Sequence, residues 1–106
     1  MVGDLLDAGS IGLMRPGAVL VNTSRGPIVS TEAAIEALRG GRLGAACLDV
    51  FAVEPPDAAA LAGVPNLIAT PHSAFYSEES IRESQTKAAT AIVDVLAGRE
   101  PVYRVV

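Results

Sequence analysis

The chain holds 106 residues, half of them hydrophobic and 19% charged, with 8 Lys and Arg against 12 Asp and Glu for a formal net charge of -4. That size and composition fit a single folded domain and exclude a disordered chain, while the scattered basic residues build no stripe for a phosphate backbone, which excludes nucleic acid as a partner. The apolar runs fall short of the roughly 18 residues of a membrane-spanning helix, residues 1–4 lack the basic and apolar regions of a secretory signal, and Cys47 has no second cysteine to pair with, so no membrane partner and a cytoplasmic location are expected.

Residues 4–14 carry Leu5, Leu6, Ile11, Leu13 and Met14 at loosely helical spacing before Arg15-Pro16-Gly17, which predicts a short helix and a turn. Ala18-Val19-Leu20-Val21-Asn22 is an apolar run without polar alternation, the pattern of a central parallel strand covered on both faces. After the turn Thr23-Ser24-Arg25-Gly26-Pro27, Ser30 or Thr31 can cap a helix that carries Ile35 and Leu38 and stops at Gly40-Gly41. Residues 43–50 read as a second strand, inside which Cys47 reads as a small buried hydrophobe with no chemical role. Glu54-Pro55-Pro56-Asp57 forms a loop, residues 58–61 one helical turn, and residues 67–70 a third strand. Ser77 starts a long helix, since its hydroxyl caps free amides and Glu78 and Glu79 suit the positive end of the dipole. Ile81, Ala88, Ile92, Val95 and Leu96 fall mostly on one face of that helix, and Gly98 ends it. The alternation of strands and helices predicts an α/β fold with a partial parallel sheet of about three strands, flanking helices and a long C-terminal helix.

In an open parallel sheet, ligands bind beyond the carboxyl ends of the strands, where the connecting loops converge. Arg25 follows the first strand, Asp49 and Glu54 the second, and His72, the sole histidine, the third. Each has a bland reading: a capping Arg, a turn Asp, a solvated loop Glu, a buried and satisfied His. Their gathering at one edge of the inferred sheet favours a site. Ser10, Asp49 and His72 also occur in the chain order of an α/β-hydrolase triad, but the segment before Ser10 is polar and helix-like where a nucleophile elbow needs an apolar strand. Asn22-Thr23-Ser24 matches a glycosylation acceptor at the end of an inferred buried strand and is read as chance. No metal site is expected.

The stretches PGAVLVNTSRGPIVSTEAAIEALRGGRLGAACLDVFAVEP and PNLIATPHSAFYSEES resemble the D-isomer-specific 2-hydroxyacid dehydrogenase family. The similarity runs from about Leu5 to the C-terminus, and HSAFYSEES looks closest to the branch containing the C-terminal-binding-protein corepressors and their bacterial enzyme relatives. The resemblance implies a Rossmann-type NAD-binding domain of an oxidoreductase that exchanges a hydride between a nicotinamide cofactor and a small 2-hydroxy or 2-oxo acid. It implies Arg25 as the cation that holds the substrate carboxylate and polarises its carbonyl, a task suited to a planar guanidinium. It implies His72 as the proton donor in reduction and acceptor in the reverse direction, with Glu54 orienting the ring and favouring its protonated form. Asp49 is implied on the nicotinamide carboxamide, and Thr23, Ser24, Arg25, His72, Ser73, Ala74 and Phe75 on the same end of the cofactor. Ala52 and Ser30 stand where acidic residues are common in the family, and neither change removes a reacting group.

No GxGxxG turn occurs in the 106 residues. By the resemblance, residues 1–106 are the C-terminal portion of a dinucleotide-binding domain, with a tail of about residues 98–106 that returns to a substrate domain. The Gly-rich half and the substrate domain are expected to be absent, with Met1 matching an internal methionine of the family. Without that half the chain alone is expected to bind cofactor poorly and to turn over little, and NAD and NADP remain alternatives because the ribose-reading carboxylate is absent too. The second expectation is a catalytically inactive truncated module, acting through self-association as a homo-oligomer or by binding another chain.

Overall fold

A computed structural model describes residues 5–105; the expectations for residues 1–4 and for Val106 lie outside the described residues. The elements in order are α1 (Ala8–Gly12), β1 (Ala18–Asn22), α2 (Thr31–Arg39), β2 (Leu43–Leu48), α3 (Ala58–Leu61), β3 (Leu67–Ala69) and α4 (Glu78–Leu96), with a 3-10 turn at Gly26–Ile28. The chain divides into two compact units, residues 1–74 and residues 75–106.

The first unit is a three-stranded parallel sheet in the order β1-β2-β3, with α2 connecting the first pair of strands. Ser30 is the residue that caps α2, accepting from the Ala33 amide at 3.2 Å. Such a cap contributes about 1 kcal/mol. The amphipathic face of α2 buries Ala33, Ala34, Ile35 and Leu38, and the small side chain of Ala34, fully buried, lets the helix lie close. Ile11 of α1 joins Leu20, Val29, Leu38, Leu43 and Ala46 in a single core cluster, against which Leu6, Met14, Ile28, Val64 and Leu67 pack. Each large aliphatic side chain buried there contributes roughly 1.5–3 kcal/mol.

Within the described residues of the first unit, only one face of the sheet is covered. Leu20 and Asn22 point into the core, whereas Val19 and Val21 alternate with them and are 64% and 60% exposed. β1 is thus a sheet edge with an open face among the described residues, not the central, doubly covered strand its apolar run predicts; β2 holds the centre. Strand register sets Val21, Cys47 and Ile68 side by side across the three strands. Cys47 is accordingly half-buried and not the fully buried hydrophobe expected, because it points away from α1 and α2.

The second unit is dominated by α4, nineteen residues long and entered through a reciprocal Ser77–Ser80 capping box. None of its residues is buried, and Ile92, Val95 and Leu96 are all exposed. Lys87 pairs with Glu83 at 2.5 Å and lies 4.9 Å from the centre of the Tyr103 ring. No helix among the described residues is long and apolar enough to cross a membrane.

Candidate active site

Because the strands are parallel, β1, β2 and β3 all deliver their following loops to the same edge of the sheet. His72 emerges three residues after the end of β3 and takes φ of 53°, a left-handed conformation that costs a residue with a Cβ roughly 1 kcal/mol or more. Two hydrogen bonds hold it there: its amide donates to the Asp49 carbonyl at 2.9 Å and to the Thr70 carbonyl at 3.0 Å. Its ring Nδ1 lies 2.8 Å from Glu54 Oε2, and the two side chains are 45% and 36% exposed, open to an incoming molecule. The other oxygen, Glu54 Oε1, accepts from the Phe51 amide at 3.0 Å.

The hydrogen bond from His72, followed by that from the Phe51 amide, holds the Glu54 carboxyl below its ordinary value of 4.5, against the opposing effects of desolvation and the Asp49 charge. An ionised carboxylate only accepts, so the Nδ1 of His72 must carry the hydrogen. That leaves Nε2 as the ring nitrogen not engaged with Glu54.

Asp49 is buried, at 4% exposure. Its Oδ1 accepts from Thr70 Oγ1 at 2.5 Å and from the Ser73 amide at 2.9 Å, while Oδ2 accepts from the Ala74 amide at 3.0 Å. The Thr70 hydrogen bond is the largest cause of a lowered carboxyl pKa, which the two amides and the nearby His72 reinforce against the cost of burial. An ionised Asp49 is thereby kept beneath the loop that carries His72. Its Oδ2 retains acceptor capacity beyond the single bond it makes.

Asp49, Phe51, Glu54, Pro55, Pro56, Thr70, Pro71 and His72 line one pocket of about 370 Å³. Its walls are mostly apolar, and its polar groups are two carboxylates, a hydroxyl and an imidazole. A flat heteroaromatic ring bearing a carboxamide fits that donor and acceptor set: the rings of Phe51 and the prolines offer apolar surface, and Asp49 Oδ2 offers an acceptor for an amide N–H.

Arg25 is not among the residues lining that pocket; it sits on the neighbouring loop, where its Nη1 donates to the Ser24 carbonyl at 2.7 Å. Asn22, buried at the end of β1, organises this loop by donating from Nδ2 to the Arg25 carbonyl at 3.0 Å and accepting at Oδ1 from the amide and hydroxyl of Ser24. Gly26 then packs directly on the main chain of Phe51 and Ala52, where any Cβ would overlap the Phe51 carbonyl. The Arg25 loop and the Glu54 loop are therefore in backbone contact. Thr23 and Ser24 are exposed on the first loop, and Ser73 and Ala74 present their amides to Asp49. Phe75 belongs to the second unit, with its side chain 60% exposed.

Two residues that organise this edge, Asn22 and Thr70, escape sequence reasoning. Both are polar residues ending apolar strands, a signal that marks them as loop organisers only once the partner loops are known. The glycosylation acceptor reading of Asn22 fails on the structure, since its amide is buried and engaged. The triad order is equally without support: Ser10 serves the capping box of α1, exchanging hydrogen bonds with Asp7. Among the described residues no group of three or more His, Cys, Asp and Glu side chains could hold a metal ion.

A parallel sheet with an acid–base pair in the loops past its carboxyl ends defines part of a Rossmann-type α/β layer. Residues 2–74 match the family described as D-isomer specific 2-hydroxyacid dehydrogenase, NAD binding domain. The chain belongs to that family. It is 48% identical over 77 residues to the (S)-sulfolactate dehydrogenase of Chromohalobacter salexigens, an alignment covering 72% of this chain and 25% of that protein. A solved Thermus thermophilus protein superposes with a TM-score of 0.83 at 41% identity, covering 96% of this chain and 33% of its own. The D-isomer specific 2-hydroxyacid dehydrogenase of Lactobacillus delbrueckii ssp. bulgaricus, solved in its NAD-complexed form, gives a TM-score of 0.82 at 32% identity, with 97% and 36% covered. The chain spans about a quarter of the curated relative's length.

Proposed function

We propose that this chain carries the proton-transfer and nicotinamide end of an NAD-dependent dehydrogenase acting on a small 2-hydroxy or 2-oxo acid. The observation that carries the reading is the 2.8 Å contact between Glu54 Oε2 and His72 Nδ1 at the mouth of an apolar pocket beyond the strand ends. When bound, a nicotinamide cofactor supplies or accepts the hydride. His72 Nε2 donates the accompanying proton to the substrate oxygen in reduction and takes it back in oxidation, while the ionised Glu54 holds the ring by its Nδ1–H. Arg25 pairs with the substrate carboxylate through its planar fork of donors. Asp49 accepts from the nicotinamide carboxamide at Oδ2, and Thr23, Ser24, Ser73 and Ala74 border the same end of the cofactor.

The 106 residues contain no GxGxxG turn, and none of them is assigned to the pyrophosphate. The residue that reads the ribose is likewise not assigned, which leaves NADP as an alternative to NAD. The proposal extends to domain organisation: the chain forms the C-terminal portion of a dinucleotide-binding domain, and the tail from about residue 98 leads back to a substrate domain.

A second reading, self-association without turnover, is favoured by the open sheet face of Val19, Val21 and Ile68, each more than half exposed. One experiment separates the two readings. The chain is titrated calorimetrically with NADH while reduction of a 2-oxo acid is followed at the nicotinamide absorbance, and its mass in solution is measured by light scattering. Saturable binding with turnover supports the dehydrogenase reading. Absence of both, in a species larger than the 10.8 kDa monomer, overturns it and leaves association.

A further inference from the structure

We infer that Thr70 is a positioning residue for His72, acting through the buried carboxylate of Asp49. The inference rests on the reading of His72 as the proton carrier and adds a residue to it. Asp49 accepts from the Thr70 hydroxyl on the near side of His72, and from the Ser73 and Ala74 amides on the far side. A single carboxylate therefore straddles the histidine along the chain. The Asp49 carbonyl also takes the His72 amide, so side chain and main chain of one residue grip the segment from 70 to 74.

Thr70 suits this task for two reasons. Its own amide is tied to the Leu48 carbonyl at 3.1 Å, which anchors it to the end of β2, and its β-branched side chain has few χ1 choices, so the hydroxyl is aimed before it binds. The 2.5 Å separation from Asp49 Oδ1 is that of a charge-assisted O–H···O⁻ bond, the strongest single contact in the clamp. Without the hydroxyl, Asp49 is free to turn about its χ angles and release the Ser73 and Ala74 amides. The His72 amide and the Glu54 contact would then hold His72 at φ 53° without the clamp on the two residues that follow. The expected consequence is a ring that loses its preferred tautomer and, with it, the defined proton on Nδ1.

Because His72 is the only histidine in the chain, its ring nitrogens can be read without ambiguity by 15N NMR on the full chain, free of cofactor. Wild type and Thr70→Ser are expected to show the Nδ1–H tautomer held on Glu54, and Thr70→Val to move toward the tautomer mixture of Glu54→Gln, where the carboxylate acceptor is gone. Amide exchange at Ser73 and Ala74 should run about tenfold faster in Thr70→Val, as expected for loss of a hydrogen bond worth roughly 1.4 kcal/mol. Thr70→Ala repeats the comparison if the valine crowds Asp49. A Thr70→Val or Thr70→Ala chain with intact core resonances, wild-type ring shifts and wild-type exchange overturns the inference. Neither readout requires turnover, so a chain that never reduces a 2-oxo acid defeats the proposed function and leaves this assignment to stand or fall by its own spectra.

Discussion

Residues 5–74 and residues 75–105 fold by different means. The first unit contains all of the buried hydrophobic core, from Ile11 to Phe51, together with both buried polar groups, Asn22 and Asp49. The second has no buried residue in its long helix and is ordered by near neighbours in sequence: the Ser77–Ser80 box, Glu83–Lys87, Asp94–Arg99 and Glu100–Arg104. Exposed pairs of this kind contribute about 0–1 kcal/mol each. The contrast teaches that chemistry here accompanies long-range packing. His72 is held through Asp49 and Glu54, residues 23 and 18 positions away in the sequence, whereas the capping box and ion pairs of α4 and its tail join residues three to five apart.

The sharpest test of that contrast removes the imidazole. In the chain completed by whatever supplies the cofactor cradle, His72→Ala is expected to lower the rate of 2-oxo acid reduction by about 10²–10⁴-fold, the range for a lost general acid. Turnover at the wild-type rate in that variant would break the link between the first unit and the reaction. Next in size, Leu43→Ala should destabilise the first unit by about 2–5 kcal/mol, because Leu43 is buried to 1% exposure in the centre of the core. Denaturant unfolding followed by circular dichroism reads this directly. Loss of less than about 1 kcal/mol would mean that the core does not hold the first unit.

A smaller effect is expected in the second unit, where Ser77→Ala removes the hydroxyl that caps α4 and should cost about 1 kcal/mol of local stability, read as faster amide exchange in the first turn. Acid should then test the carboxylates of the first unit. Glu54 and Asp49 both have folded pKa values below their ordinary 4.5 and 3.8, so their contribution to stability is complete above those values and is lost as pH falls through the lowered ones. The stability difference between wild type and Glu54→Gln should therefore shrink as pH falls below about 5. A difference that grows below about pH 5 would invert the assignment of Glu54 as an ionised acceptor. Smallest of all, Leu96→Ala at an 82% exposed position of α4 should change stability by less than about 0.5 kcal/mol if that face is free in solution. A larger loss, dependent on protein concentration, would reveal that the face is covered in an assembly.

Much of this architecture was legible in the residue pattern. The apolar runs at Ala18 and Leu43, the caps at Ser30 and Ser77, and the stops at Gly40 and Gly98 are local signals, and each element lies within a few residues of its expected bounds. The second strand ends at Leu48 and the third at Ala69, earlier than their apolar character suggests, because Asp49 and Thr70 turn their polar groups to the loop clamp instead of continuing the ladder. The open face of β1 was not legible, since an apolar run reads alike whether a second layer covers it or not.

What the sequence by itself determined is the order of the elements and the set of titratable groups past the strand ends, because caps, glycines, apolar runs and the types of titratable side chain act within a few residues. Only the tertiary structure decided which of those groups meet. Glu54 found His72, Asp49 found Thr70, and Gly26 brought the Arg25 loop against the Glu54 loop, while Ser10 was left to a helix cap. The physical reason is that a hydrogen bond or ion pair depends on ångström-scale separation, and separation between distant residues is fixed by strand register and core packing rather than by any residue's own preference.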